Sequence, residues 1–198
     1  IKPTPDIDKQ TLTVKTDIAN AASGDKIRIV ASDGSATVAE QEFEAGSNAV
    51  LNIANPKLWS PESPFLYDLT VSITRNGKVM DEVKSYFAMR KIAMQPDANG
   101  VQRMMLNNQF LFQYGPLDQG WWPDGLYTAP TDEALKFDII KTKEMGFNMI
   151  RKHVQVEPAR WYRYCDELGM LVWQDMPSGD LGNNWEPHPG ITGNETEK

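Results

Sequence analysis

The sequence predicts a multidomain chain: an all-β, immunoglobulin-like sandwich followed by an α/β region with parallel strands. Three observations predict it. Short runs of alternating apolar residues, separated by turn clusters, fill residues 1 to about 90, the texture of an antiparallel sandwich. After Gln109 the hydrophobic period changes from two to about 3.6, the repeat of amphipathic helices. Residues 147–177, FNMIRKHVQVEPARWYRYCDELGMLVWQDMP, read as strand, helix, strand, and a connection of that kind joins parallel strands. The boundaries that follow are a sandwich over 1–92, a junction over 93–108 and the α/β region over 109–198.

The sandwich strands come in order as Leu12–Val14, Ile27–Ile29, Leu51–Ile53 and the alternating set Phe65, Tyr67, Leu69, Val71, Ile73. Between them stand Asn20–Asp25, Asp33–Ser35, Gly46–Asn48 and Asn76-Gly77. The last is the strongest hairpin signal, because both residues accept the positive φ angles of a type I′ turn. This spacing suits about seven strands. Pro56, Pro61 and Pro64 forbid a ladder between Asn55 and Pro64. That stretch is a rigid loop with Trp59 as its anchor, stacking on a sugar ring being the other reading. In the junction, Gln95–Gly100 is a turn and Leu106–Gln109 a tight hairpin.

Beyond the junction, Phe110–Tyr114 reads as a buried strand and Gly115–Pro130 as a long loop. Thr131 caps a helix whose stripe is Leu135, Ile139, Thr142 and which stops at Gly146. Phe137 and Ile140 fall off that stripe and call for a second apolar neighbour. Asn148–His153 is a short strand ending in Arg151, Lys152 and His153. Pro158 opens the next helix, where its missing N–H is no loss. Trp161, Tyr164, Cys165 and Leu168 form its apolar stripe, and Gly169 ends it. Met170–Trp173 is the second strand, ending in Gln174 and Asp175. The carboxyl ends of parallel strands collect chemistry, which makes Arg151, His153 and Asp175 candidate site residues.

Composition narrows the function classes. The chain has 198 residues, 40% of them hydrophobic and 24% charged, with a net charge of −7. That balance describes a soluble globular protein and argues against a nucleic-acid partner, which needs a basic face. No apolar run approaches the roughly 20 residues of a membrane helix. The first ten residues, IKPTPDIDKQ, hold no signal peptide. The missing Met suggests an excised piece, and export of the parent to the periplasm or beyond stays open. Cys165 is the only cysteine, so neither an internal disulfide nor a cysteine metal cluster is available. Its place on the helix stripe makes it a packed thiol, a nucleophile being the other reading.

Three segments carry a resemblance. They are Asn55–Tyr67 (NPKLWSPESPFLY), Tyr86–Ile92 (YFAMRKI, with Ala88 where a Gly is usual), and Lys143–Arg151 together with Cys165–Gly169 and Leu171–Asp175. In this order they resemble glycoside hydrolase family 2, the family of β-galactosidases, β-glucuronidases and β-mannosidases. The resemblance covers roughly residues 50 to 177 and implies that the α/β region is a partial (β/α)8 TIM barrel, its first three strands. It implies retaining hydrolysis of O-glycosidic bonds by two Glu side chains about 5 Å apart. Both would sit on later strands, so no catalytic residue is expected in this chain. Asn194-Glu195 imitates the family's acid/base pair, but no strand precedes it.

The expected contribution is pocket wall. The resemblance gives Arg151 the role of supporting the active-site carboxylates, against a plain structural ion pair. His153 stands one place earlier than the galactosidase pattern has it. Asp175 would bind sugar hydroxyls, with a cation as the poorer reading. Gly115–Gly125 replaces the Asn-Arg-His of galactosidases and brings Asp118, Trp121 and Trp122; the tryptophans are either a stacking platform or loop packing. No cofactor and no metal is implied. The partners expected are a carbohydrate substrate and the rest of the parent enzyme. A non-catalytic carbohydrate-binding or interaction module is the alternative.

Overall fold

Seven antiparallel strands form two sheets before residue 90. They are β1 (Lys2–Asp6), β2 (Thr11–Lys15), β3 (Lys26–Asp33), β4 (Ala36–Glu44), β5 (Ala49–Asn52), β6 (Tyr67–Arg75) and β7 (Lys78–Phe87). One sheet has the order β1-β2-β5 and the other β4-β3-β6-β7. Alternation sends Leu12 and Val14, Ile27 and Ile29, Ala49 and Leu51, and Tyr67, Leu69 and Val71 into a single core that both sheets share. Asn76 and Gly77 have φ of 50° and 76° and turn β6 into β7, as the type I′ signal requires. Trp59 is fully buried; its N–H donates to the Met89 carbonyl at 3.0 Å, and the Arg90 guanidinium lies 4.6 Å from its ring centroid. The loop anchor is therefore in place.

A small antiparallel sheet of order β10-β9-β8 follows, from β8 (Ile92–Pro96), β9 (Gln102–Leu106) and β10 (Gln109–Phe110). Asn107 and Asn108 adopt φ of 53° and 65° in the tight hairpin between the last two.

The remaining elements are β11 (Leu117–Asp118), α1 (Asp132–Glu144), β12 (Met149–Lys152), α2 (Ala159–Leu168) and β13 (Leu171–Gln174). The sheet order is β11-β12-β13 and every pair is parallel. The Thr131 hydroxyl accepts the Ala134 N–H at 3.1 Å to cap α1, and acidic residues open the helix while lysines close it. Leu135 and Ile139 are buried beneath α1, Trp161 and Cys165 beneath α2. Cys165 is buried, as its place on the stripe predicts.

One expectation is overturned. Phe110–Tyr114 is not a buried strand: Phe110, Phe112 and Tyr114 are 52%, 69% and 56% exposed. The strand is Leu117–Asp118, inside the stretch read as loop. Local geometry explains the shift. A Cβ on Gly115 would fall 1.5 Å from the Met149 carbonyl oxygen, so only glycine permits this close approach to β12. The parallel ladder opens there, with the Arg151 N–H donating to Pro116 O at 3.0 Å and the His153 N–H to Asp118 O at 2.9 Å.

The computed structural model describes residues 1–176. They fall into two compact units, Ile1–Phe112 with Asp166–Gly169, and Gln113–Cys165 with the residues from Met170 on. Among the described residues the fold is mainly β, with thirteen strands and two helices. No helix there is long and apolar enough to cross a membrane. Glu195 lies outside the described residues.

Candidate functional site

Parallel pairing puts the carboxyl ends of β11, β12 and β13 on one edge of the sheet. The apolar starts of these strands are buried, Met149 and Ile150 on β12 and Leu171 on β13. Polar residues then emerge at the ends, and two groups form.

The first group is Arg151 with Asp175. Nε donates to Oδ1 at 3.1 Å and Nη2 to Oδ2 at 2.9 Å, a two-pronged charged pair. Asp175, first by its hydrogen bond and then by its charge, raises the guanidinium pKa above the ordinary value. Both side chains reach water, at 47% and 25% exposure, so the pair adds little to stability. An arginine held in a fixed plane by one carboxylate is well suited to orient a second acceptor.

The second group is centred on Lys152, a residue with no site signal of its own in the sequence. Its side chain is 2% exposed, and Nζ donates to Asp118 Oδ2 at 2.7 Å and Glu157 Oε1 at 2.6 Å. The ammonium also sits 4.9 Å from the Trp161 ring centroid. The signal was strand parity: Lys152 shares a face with Ile150, which is buried. Asp118 uses its other oxygen to accept the Gly120 N–H at 2.8 Å. Asp118 and Glu157 thus approach each other only through an ammonium, and neither is an open nucleophile.

The remaining candidates lie around these groups. His153 Nδ1 is 3.2 Å from Gln119 Nε2; with the amide donating, the ring proton resides on Nε2. Trp121 is 56% exposed and packs on Tyr127, ring centroids 4.3 Å apart. Trp122 and Leu126 exchange backbone hydrogen bonds at 2.7 and 2.9 Å. The buried Trp122 indole N–H has no hydrogen-bond partner among the described residues. The structure thus joins Arg151 to Asp175, and Asp118 to Lys152 and Glu157, as separate groups. Val154, just past β12, has φ of 49°, a conformation a β-branched side chain rarely adopts. Among the described residues no three His, Cys, Asp or Glu converge as a metal site.

Comparison with known proteins adds the family. The chain is 30% identical over 186 residues to a candidate β-glucuronidase of Formosa agariphila, a match covering 89% of this chain and 17% of that protein. It is 31% identical over 131 residues to the β-galactosidase of Lactococcus lactis subsp. lactis, covering 66% of this chain and 12% of the enzyme. The crystal structure of an FMN-binding β-glucuronidase from Facaelibacterium prausnitzii L2-6 superposes with a TM-score of 0.74 at 24% identity, over 89% of this chain and 27% of that one. The chain therefore spans under a fifth of the length of these curated relatives. With its residues 1–90 matched by the model of the glycosyl hydrolases of family 2, this chain is a relative of those enzymes.

Proposed function

We propose that this chain is part of a retaining exo-β-glycosidase, β-galactosidase-like in its chemistry. It would supply an immunoglobulin-like sandwich and the first three strands of a (β/α)8 barrel. The observation that carries the reading is the gathering of Asp118, Arg151, His153 and Asp175 at the carboxyl ends of three parallel strands, the end where barrel enzymes keep their chemistry. Retaining hydrolysis needs one carboxyl to protonate the leaving oxygen and another to attack the anomeric carbon. Here Asp175 is engaged by Arg151, and Asp118 and Glu157 by Lys152. The two catalytic Glu side chains are therefore assigned to other strands of the parent. Two of the five guanidinium N–H donors of Arg151 serve Asp175, and the others can hold one of those glutamates in line. Trp121, Trp122 and His153 complete the wall against a carbohydrate.

A panel of aryl β-glycosides tests this. The full-length protein should release product with retention at the anomeric carbon, and residues 1–198 alone should turn over none. Arg151→Ala in the full-length enzyme should lower kcat about 10²-fold, the scale of losing one preorganised charge contact. Turnover by residues 1–198 would overthrow the assignment of the Glu pair. A full-length protein that binds sugars but hydrolyses none would favour a carbohydrate-binding module.

A further inference from the structure

We infer that Lys152 is the positioning residue of this site: through Asp118 it seats the loop 119–127, and with it Trp121 and Gln119. The part of this inference that concerns sugar rests on the glycosidase reading; the part that concerns the loop does not.

The ammonium is buried where an apolar side chain would ordinarily stand. Such a group is tolerated only when its donors and its charge are matched. Two of its three N–H donors reach Asp118 and Glu157, at 2.7 and 2.6 Å, and the Trp161 ring faces it. Joining β11 to β12 does not need this cluster, because the ladder between them already has backbone hydrogen bonds. The loop that leaves β11 is different. Its pairings Trp121 with Tyr127 and Trp122 with Leu126 are internal to the loop. It is tied outward through the Gly120 N–H on Asp118 Oδ1, at 2.8 Å, and through Gln119 on His153, at 3.2 Å. The first tie has a fixed acceptor because Lys152 holds the opposite oxygen of the same carboxylate.

Gly120 also rests directly on the cluster. A Cβ there would lie 2.7 Å from Glu157 Oε1, 2.8 Å from Gln155 Oε1 and 2.9 Å from Lys152 Nζ, and the residue has φ of +65°. The fit is made for glycine. The backbone of the loop and the three polar side chains therefore form one packed layer, with Lys152 at its centre. Removing the ammonium would leave two carboxylates facing each other and release the acceptor of Gly120.

Amide exchange on residues 1–198 tests the loop directly. In Lys152→Met, the hydrogen-bonded amides of Gly120, Trp122 and Leu126 should exchange at least about tenfold faster, while amides of α1 and β13 change less than about twofold. Lys152→Arg, which keeps the charge, should retain most of the protection. Gly120→Ala attacks the layer from the loop side with every buried charge still present, and should reproduce the Lys152→Met pattern if that variant fails to fold. In the full-length enzyme, Lys152→Met should raise KM for an aryl β-glycoside about tenfold with kcat nearly unchanged, the mark of lost ground-state binding. Arg151→Ala should do the reverse. Unchanged loop exchange, equal acceleration throughout α1, α2 and β13, or an Arg variant as impaired as Met would each overturn the inference. So would a fall in kcat without a rise in KM. A full-length protein inactive on every glycoside would sink the glycosidase reading alone, with the exchange result still deciding the role of Lys152.

Discussion

Asp25 and Val154 show how far single residues depart from their ordinary preferences. Arg75 grips Asp25 with two N–H donors at 2.7 and 2.8 Å, and the Ala22 N–H adds a third bond at 2.7 Å. The Arg75 hydrogen bond, then the Ala22 N–H, hold this carboxyl at about 2, against 3.8 for a free aspartate. As pH falls, the unfolded chain takes up this proton first. The stability from Asp25 is therefore complete above about pH 4 and fades between there and about pH 2. Urea midpoints at pH 7, 4 and 2.5 should fall less steeply for Asp25→Asn than for the unmodified chain; parallel curves would contradict the assignment. Val154 bears its strain in an exposed turn. A residue in such a conformation stores about 1–3 kcal/mol. Val154→Gly, less the entropy lost by glycine, should stabilise the chain by about 1 kcal/mol, read as a higher Tm. A lower Tm would mean that the valine side chain contributes more than its backbone costs. Neither effect is legible in the sequence: Arg75 stands fifty residues from Asp25, and no neighbouring residue type announces a positive φ at Val154. Arg151 and Asp175 were legible, since a strand ending in charge announces itself. Lys152 and Glu157 were not, because charged side chains are almost never buried and so are not sought in a core.

Among the elements, those with local causes matched their sequence signals, as did the parallel pair β12 and β13, and the strand read at 110–114 did not. Asn76-Gly77, Asn107-Asn108 and the Thr131 cap fixed their turns and helix start from chemistry within a few residues. The first parallel strand moved from 110–114 to Leu117–Asp118 because its position is decided by the backbone of β12, more than thirty residues away in sequence. Periodicity cannot report such a contact. Gly115 is the residue that does, though a lone glycine in a loop reads as punctuation. Gly115→Ala should therefore cost about 3 kcal/mol, the upper range for forcing extra atoms into a packed site. Thermal denaturation of the variant would show it as a large loss of Tm, and a Tm equal to the unmodified chain would show that β11 does not depend on this approach. The helix α1 kept its stripe, yet Phe137 and Ile140 remain 57% and 37% exposed. Their second apolar neighbour is not supplied by the described residues.

At the scale of the molecule, the two units differ in how much apolar surface each buries. Thirteen buried side chains form one cluster within the first. The second buries Leu135, Ile139, Met149, Ile150, Trp161, Cys165, Met170 and Leu171, while Phe137, Met145, Trp173 and Met176 are 57%, 72%, 41% and 76% exposed. A parallel sheet is ordinarily covered on both faces, and stability follows the apolar area removed from water. The second unit should therefore open first. Cys165 reports on it, being the only thiol in the chain and buried in that unit. In native buffer a thiol reagent should label it slowly, because the buried sulfur is out of the reagent's reach until the unit opens. As urea rises, labelling should become fast at a concentration where the β-sheet signal of the first unit is still intact. Coincident transitions would mean that the chain unfolds as one body and that the exposed apolar side chains cost it nothing. The same thiol tests the proposed barrel. Further strands in the full-length protein would cover Phe137 and Trp173 and deepen the core around Cys165, so its labelling at a given urea concentration should slow by about tenfold or more, an extra 1.4 kcal/mol of protection. Equal rates in the full-length protein and in residues 1–198 would show that nothing beyond this chain packs on its parallel sheet.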